Sequence, residues 1–308
     1  MHDESGHRYC HVPTGMTVRS VTTKAGILEA PHLKQWSAGM AVEFIDKNWD
    51  VIITASVEQR EGLFKQAKLV HQDVFHDAGN IGTQGHEAVE AYLLEWMKTG
   101  KRPQDIRPFV KGIDGRLFAI ARSAEQFCID FDAEPVASEL LVASVKHKLA
   151  GTLDGMMVVS KVLKKGDDSV RTLDGGPCPH STWWNLSTRD PSKLECRDCG
   201  RQVKRILALT DWKTSNSIDK PEYAMQVSAY WQAFYELTGI KPEEILIVRL
   251  DKERCKYEVR RVTNRAKAFA AYKHTAAVYD WLTDGKEKLA AYPGRERVSL
   301  NEVEFQTV

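Results

Sequence analysis

The sequence predicts an α/β fold in which a central mixed β-sheet is flanked by helices and carries a small metal-binding insertion. Two patterns lead to this expectation. Short runs of β-branched and apolar residues bounded by turn residues are typical of strands, and they occur at 140–145, 148–159, 206–213, 245–250 and 256–262. Longer segments whose apolar residues recur at helical spacing are typical of helices. We expect one domain over 1–308, with 164–205 as an inserted loop and 284–308 as a C-terminal tail.

Helices are expected before, between and after these strands. The predicted helices begin at Pro31 and Thr83, cover 104–132, run from Pro221 to Leu237 and extend from Asn264 to about Leu282. Thr83 is the expected N-cap of its helix, because a threonine hydroxyl accepts a hydrogen bond from a free first-turn N–H group. Gly112 and Gly115 weaken the helical pattern over 104–132.

Composition excludes several classes of protein. Hydrophobic residues make up 43% and charged residues 28% of the chain, which is ordinary for a globular protein. The longest apolar runs are much shorter than the roughly 18–20 residues of a membrane-spanning helix, so no membrane partner is expected. The first residues are polar and acidic, unlike a secretory signal, and we expect a cytoplasmic protein. The formal net charge of +1 does not by itself indicate nucleic-acid binding, so function must be argued from a site.

Two acidic residues and a lysine form the candidate site. The two-residue period of a strand places Asp211 and Lys213 on one face, roughly 7 Å apart along the strand. Asp154 lies in a second predicted strand that can pair with the first. Carboxylates are suitable ligands for a hard divalent cation, which phosphodiester cleavage uses to neutralise phosphate and activate water. A neighbouring lysine can position that water or stabilise negative charge in the transition state.

A series of motifs surrounds this trio in a characteristic order. The motifs are Gly82-x-x-x-His86, Glu139, Gly151-Thr-Leu-Asp154, Asp211-Trp-Lys213 and Gln226-x-x-x-Tyr230. The series resembles the RecB-like nucleases of the PD-(D/E)XK superfamily, which include phage, bacterial, CRISPR-associated and mitochondrial genome maintenance exonucleases. Ser20-Val-Thr-Thr23, followed by Pro31-x-Leu-x-x-Trp36, also looks like phage and mitochondrial members.

The resemblance implies a restriction-endonuclease-like core and a role for each motif residue. It implies that Mg²⁺ or Mn²⁺ is held by His86, Asp154, Asp211 and the backbone carbonyl of Trp212, with Lys213 as the catalytic lysine. It also implies that the helix carrying Gln226 and Tyr230 lies against the site and helps to orient the lysine and DNA.

Each outer residue of the site also has an ordinary structural interpretation. His86 can be a hydrogen-bonded core histidine, and Gln226 and Tyr230 can simply pack within their helix. Glu139 can bind a second metal or pair with Lys146 or Lys148, and the sequence leaves these alternatives open.

The inserted loop carries a second, chemically different metal motif. Fifteen residues separate Cys178 and His180 from Cys196 and Cys199, and these four ligands suit tetrahedral zinc. A structural zinc site is therefore predicted, with an iron–sulfur cluster as the rival. Two tryptophans and several basic residues of this loop can contact DNA or pack on the metal knuckle.

The resulting functional expectation is a Mg²⁺- or Mn²⁺-dependent deoxyribonuclease that acts on DNA ends or single strands in replication, recombination or repair. Exonuclease activity is favoured by the resemblance alone, and a structure-specific endonuclease of the same fold is an alternative. A catalytically inactive nucleic-acid-binding module and a zinc-dependent adaptor are further alternatives. A helicase or recombination partner and an oligomer are compatible with the sequence.

Overall fold

The computed structural model describes residues 8–11, 16–28, 31–166, 178, 180 and 183–284. The strands are β1 (Arg8–His11), β2 (Met16–Arg19), β3 (Glu134–Ser144), β4 (Leu149–Lys164), β5 (Trp183–Asn185), β6 (Lys193–Cys196), β7 (Gln202–Lys213), β8 (Glu244–Leu250) and β9 (Tyr257–Arg261). The helices are α1 (Val21–Ala25), α2 (Pro31–Lys47), α3 (Trp49–Thr54), α4 (Val57–Thr99), α5 (Gly115–Asp130), α6 (Pro221–Thr238) and α7 (Arg265–Asp284). Within these ranges, every helix is too short or too polar to cross a membrane.

Strand β7 is the centre of a mixed sheet. Along one edge it pairs antiparallel with β4 from Gln202 to Thr210. Along the other edge it pairs antiparallel with β6 near its start and parallel with β8 near its end. Strand β3 extends the sheet beyond β4, and β9 extends it beyond β8. The predicted α/β fold with a mixed sheet is therefore confirmed.

Helices cover both faces of the sheet, and each interface has its own hydrophobic core. On one face, α4 and α5 bury Tyr92 and Phe127 against Trp212 of β7. On the other face, α1, α6 and α7 pack against the sheet, with Leu209 of β7 and Tyr272 of α7 in the same core. Because β7 and β8 are parallel, α6 serves as the crossover helix that joins them.

Helix α4 is much longer than the sequence pattern predicted. It contains 43 residues, which corresponds to about 64 Å at about 1.5 Å per residue. Its N-cap is Ser56, which forms a capping box with Gln59, and it ends at Gly100 in the left-handed conformation. The prediction that Thr83 caps the helix is wrong, because Thr83 lies inside it. The sequence prediction did not extend to residues 57–80, although Leu63, Ala67, Val70 and Val74 recur there at helical spacing.

Other element boundaries also differ from the prediction. The helix expected over 104–132 begins only at Gly115, where Asp114 accepts a hydrogen bond from the Arg116 N–H group as N-cap. Residues Arg107–Phe109 instead form a 3-10 turn. Strand β7 begins at Gln202, so the last residues of the expected insertion belong to the sheet. The expected tail lies outside the described residues from 285 onward.

A close contact between β4 and α6 depends on a glycine. An added Cβ at Gly151 would lie 2.5 Å from Cε1 of Tyr230, so the tyrosine ring packs directly on the strand backbone. Near the same point, Ser20 forms an isolated β-bridge with Ala150 and caps α1. The N-terminal segment, β4 and α6 therefore meet around Tyr230.

We predict opposite stability changes for two glycine-to-alanine substitutions. Gly151→Ala should reduce the free energy of unfolding by about 1–3 kcal/mol, because its methyl group would overlap the Tyr230 ring. The control Gly79→Ala, at an exposed position of α4 with open space around it, should raise that free energy by about 0.5–1 kcal/mol. Denaturant unfolding measures both values, and equal effects of the two substitutions would contradict the close packing.

Candidate active site and metal cluster

Two acidic residues lie at the point where β4 and β7 stop pairing. The last paired residues at this end are Gly155 and Thr210, and Asp154 and Asp211 are the next residue on each strand. Because the ladder has ended, the backbone N–H group of Trp212 is free to donate to Asp154 Oδ2, at 2.7 Å. A backbone group that would otherwise pair strands thus orients a carboxylate.

Asp211 and Lys213 share one face of β7, as the strand period predicted. The Lys213 Nζ atom lies 2.8 Å from Asp211 Oδ2. The Asp211 side chain is only 1% exposed, and its Oδ1 atom has no hydrogen-bond partner among the described residues. A buried carboxylate oxygen without a partner is costly, so Asp211 has a free ligand position for a cation.

Helix α4 brings His86 to the two strands. Its Nδ1 atom lies 3.9 Å from Asp154 Oδ2, and both side chains are partly buried. The approach needs a glycine one turn earlier, because a Cβ at Gly82 would lie 2.9 Å from Thr214 Oγ1 just after β7. Burial and the nearby Lys213 ammonium lower the pKa of His86 to about 4. The imidazole is therefore neutral at pH 7, which is the form that binds metals.

The charges of the site perturb one another strongly. Burial raises the pKa of Asp211 to about 6, although Lys213 opposes the shift. Burial also raises the pKa of Asp154, against the opposing effects of Lys213 and the Trp212 N–H group. The pKa of Lys213 is raised by Asp211 and Asp154, which outweigh its burial. Perturbed groups concentrated in a cleft are typical of functional sites.

An acidic cavity of about 470 Å³ opens beside these residues. Its lining consists of Gly82, Thr83, His86, Glu87, Glu90, Glu139 and Asp154. Glu139 lies on β3 with a φ of 49°, a left-handed conformation that is uncommon for a glutamate in a strand. Partial burial, followed by the charges of Asp154 and Glu90, raises the pKa of Glu139 to about 7. Glu90 was not singled out in the sequence, although it lies one helical turn after His86.

The alternative role for Glu139 as a surface ion-pair partner is not supported. Among the described residues, it forms no ion pair with Lys146 or Lys148. Its carboxyl instead faces the other acids of the cavity.

The buried residues Gln226 and Tyr230 form a polar triangle with an exposed residue of α1. The Gln226 Nε2 group donates to Thr22 Oγ1 and to the Tyr230 hydroxyl, both at 3.2 Å. The Tyr230 and Thr22 hydroxyl oxygens are 3.1 Å apart. The prediction placed both α6 residues beside the site but missed Thr22 as their partner, although the Ser20–Thr23 segment had been noted. Tyr223 of α6 was also missed, and its ring centroid lies 5.0 Å from Lys213 Nζ.

The four predicted ligands of the insertion converge into one cluster. The ligand atoms of Cys178, His180, Cys196 and Cys199 all lie within 4.8 Å of one another. The Cys178 and Cys196 sulfurs are 3.7 Å apart, and Cys199 Sγ is 3.4 Å from His180 Nδ1. Tetrahedral zinc, with bonds of about 2.3 Å to sulfur and about 2.0–2.1 Å to nitrogen, requires edges of about 3.8 Å and about 3.5 Å. This Cys₃His cluster can therefore hold a metal ion, and its spacing is consistent with structural zinc.

Local backbone geometry supports the cluster. Gly200 has a φ of 69°, and its N–H group donates to the Cys196 carbonyl at 2.9 Å, closing the turn between two ligands.

Arg201 Nη1 lies 3.2 Å from His180 Nε2. A guanidinium can only donate, whereas metal binding through Nδ1 leaves a proton on Nε2, so such binding would require Arg201 to move.

The two tryptophans of the insertion have different environments. The Trp183 ring lies 5.7 Å from the His180 ring and packs against the cluster. Trp184 is 50% exposed, with the Arg197 guanidinium 4.6 Å from its ring centroid. Of the two tryptophans, Trp184 is the more accessible to a ligand.

The carboxylate site is looser than the Cys₃His cluster. Across the described residues, His86, Asp154 and Asp211 do not form a similarly close ligand group. Trp212 N–H contacts Asp154 and Lys213 contacts Asp211, so each carboxylate already has one partner.

No protein-family model and no curated protein sequence matches the chain. The site geometry and the motif series are therefore the basis on which a function can be inferred.

Zinc content should follow the integrity of the Cys₃His cluster. The purified protein should contain about one zinc ion per chain, and Cys196→Ser should lose it because one of four ligands is removed. The control Cys10→Ser changes an exposed cysteine of β1 and should keep the metal. Elemental analysis gives the stoichiometry. Iron with visible absorption, or a metal content unchanged by Cys196→Ser, would contradict the assignment.

Glu139→Gln should change how stability depends on pH in the metal-free protein. The pKa of Glu139 is raised in the folded state, so the stabilising effect of its proton is lost as pH rises from its unfolded value through about 7. Between pH 5 and pH 8, the free energy of unfolding of Glu139→Gln should therefore rise by about 1–2 kcal/mol relative to that of wild type. This value is reduced for the partial exposure of Glu139 to solvent.

Denaturant unfolding in EDTA at the two pH values measures this gain. The control Glu95→Gln changes a partly exposed glutamate of α4, outside the acidic cavity, and should behave like wild type at both pH values. A pH-independent effect of Glu139→Gln would show that Glu139 titrates normally.

Proposed function

We propose that the protein is a metal-dependent deoxyribonuclease of the RecB-like PD-(D/E)XK type, with a restriction-endonuclease-like core. The observation that carries the proposal is the convergence of Asp154, Asp211 and Lys213 where β4 and β7 separate. The order of the antiparallel strands β3, β4 and β7, with β8 parallel to β7, also fits this proposal.

The residues of the site fit a hard divalent cation. Asp211 Oδ1 is buried without a partner, and the available donors are carboxylates, a neutral imidazole and a backbone carbonyl. Asp154, Asp211, His86 and the Trp212 carbonyl would hold Mg²⁺ or Mn²⁺. On an extended strand the N–H and C=O groups of one residue point to the same side, so the Trp212 carbonyl is directed towards β4, as its N–H group is.

Each side chain has a distinct task in phosphodiester hydrolysis. When bound, the cation would neutralise the phosphate and lower the pKa of a water molecule. Lys213, kept charged by the two aspartates, is placed to orient the attacking water and to stabilise negative charge in the transition state. Glu139, in the adjoining acidic cavity, is placed to bind a second cation.

Gln226 and Tyr230 of α6 contribute by holding other groups of the site in position. Gln226 and Tyr230 form hydrogen bonds with Thr22, and Tyr230 packs on Gly151, three residues before Asp154. This triangle supports the β4 end of the site and would help to orient Lys213 and the DNA. A structural zinc in the Cys₃His cluster would stabilise the start of β7, since Cys196 belongs to β6, which pairs with β7.

The proposed substrate is DNA, with ends or single strands favoured by the family resemblance. We also propose that the protein is cytoplasmic and that it cooperates with a helicase or recombination protein. A structure-specific endonuclease and a binding module without catalysis remain the alternatives that an activity assay can separate.

Removing the lysine should abolish cleavage without abolishing folding. Lys213→Ala and Asp211→Asn should each reduce the rate of DNA digestion in Mg²⁺ or Mn²⁺ by about 10²-fold or more, because they remove transition-state stabilisation and a metal ligand. The control Lys220→Ala removes a second lysine next to the Tyr223 ring, 5.5 Å from its centroid, and should retain activity.

The assay uses linear DNA labelled at the 5′ or 3′ end, circular DNA and single strands, with EDTA as a blank. Digestion of linear but not circular DNA would support an exonuclease, whereas cleavage of circles would favour the endonuclease alternative. Equal activity of Lys213→Ala and wild type would refute the assignment. Binding of DNA by an inactive wild type would favour the binding module.

A further inference from the structure

A second cavity lies away from the proposed active site. Its volume is about 600 Å³, within the range of small-molecule sites. It is formed by the end of α6, the start of β8, the end of β9 and the start of α7, represented by Trp231, Glu244, Arg261 and Arg265. Because Ala208 pairs with Glu244 and Lys213 with Arg249, the cavity lies about 16 Å along the sheet from Lys213, at about 3.3 Å per residue.

The acidic residues of this cavity are neutralised from outside it. Glu243 Oε2 accepts a hydrogen bond from Lys204 of β7 at 2.6 Å. Glu244 Oε1 accepts one from Lys161 of β4, also at 2.6 Å. Neither lysine lines the cavity. The acids therefore do little to balance the cations that face the cavity.

Three cations line the same cavity. Arg261 reaches Glu244 only at 3.5 Å, where the closer Lys161 already competes for the same oxygen. Lys241 and Arg265 form no ion pair with any described residue, and Arg265 makes no hydrogen bond to one. The cavity therefore has an excess of positive charge and several unused N–H donors.

Arg265 is held in place without an acid. Its guanidinium carbon lies 3.2 Å from the centre of the Trp231 ring, and Trp231 is fixed by a hydrogen bond from Nε1 to the Pro242 carbonyl at 3.0 Å. Burial lowers the pKa of Arg265, since no carboxylate offsets the loss of water. An arginine stays protonated under these conditions, so its charge is partly desolvated and available to an anion.

The surrounding groups match an anion larger than a simple ion. Helix α7 begins at Arg265, so the positive end of its dipole adds to the side-chain charges. The rings of Trp231 and Tyr235 form an apolar wall of the cavity, beside these cations. Planar guanidinium groups are suited to bidentate binding of phosphate.

We propose that this cavity binds a small phosphate-bearing ligand of nucleotide size, with Arg265, Arg261 and Lys241 contacting its phosphate. The site would be separate from the nuclease site and does not depend on it. Its ligand would contact the second half of α6, the helix that also carries Gln226 and Tyr230.

Calorimetric titration with 2′-deoxyadenosine 5′-monophosphate, in EDTA at low salt, tests the proposal. The wild type should bind the nucleotide, and Arg265→Gln should weaken binding by about tenfold or more, because charge-assisted hydrogen bonds are lost. Lys241→Gln, at an exposed position where folding is not at risk, should weaken it in the same direction. The matched control is Lys273→Gln, which changes an exposed cation on α7 that lies over Phe269 and outside the cavity.

Further arms identify the ligand and the location. Deoxyadenosine, which lacks phosphate, should bind much more weakly than the nucleotide. Competition by inorganic phosphate would support the phosphate contacts, and equal affinity for it would identify free phosphate as the occupant. Asp211→Asn should bind the nucleotide as wild type does, which separates this cavity from the proposed active site. No binding by wild type, or equal affinity in wild type, Arg265→Gln and Lys241→Gln, would overturn the proposal.

Discussion

The antiparallel ladder between β4 and β7 is the constraint on which the rest of the molecule depends. It runs from Lys164 and Gln202 to Gly155 and Thr210, and its register decides which side chains meet at its end. A slip of one residue would turn Asp211 and Lys213 to the opposite face of the sheet. The hydrophobic residues on both faces of β7 oppose such a slip, because it would exchange Leu209 and Trp212 between two different cores.

The end of this ladder concentrates buried charge in a way that requires compensation. Asp211 is buried and Asp154 is largely buried where the β4–β7 ladder ends inside the sheet, and burial of a carboxylate is unfavourable without a cation. Lys213 supplies part of that compensation, and the Trp212 N–H group supplies another part. The remaining deficit, represented by the unpartnered Asp211 Oδ1 atom, is what a divalent cation would offset in the proposed site. The charges of Asp154, Asp211 and Lys213 are not fully paired with one another, so they can take part in the proposed chemistry.

Local patterns predicted the strands and the Cys₃His cluster well. The alternation in β7 placed Asp211 and Lys213 together, and the spacing from Cys178 to Cys199 brought four ligands within 4.8 Å. What the sequence could not predict depends on contacts between distant segments. Thr22 was missed because its partner Gln226 lies 204 residues away. The start of α4 is a different case, since the Ser56 capping box and the apolar spacing of Leu63, Ala67 and Val70 are local signals that could have predicted it. The cavity around Arg265 combines four elements, so no local motif indicates it.

The ladder also has a consequence for how the insertion relates to the rest of the chain. Lys164 and Gln202 are paired neighbours, so the chain leaves and re-enters the sheet at adjacent positions. The β4–β7 ladder does not fix the length of the segment between them, since the entry and exit points remain together whatever lies between, although β6 within this segment also pairs with β7. A hairpin turn or a longer segment could therefore join β4 to β7 without moving the residues at the far end of β7. Variation in this segment would change accessory contacts while the spacing of the carboxylates and the lysine stays the same.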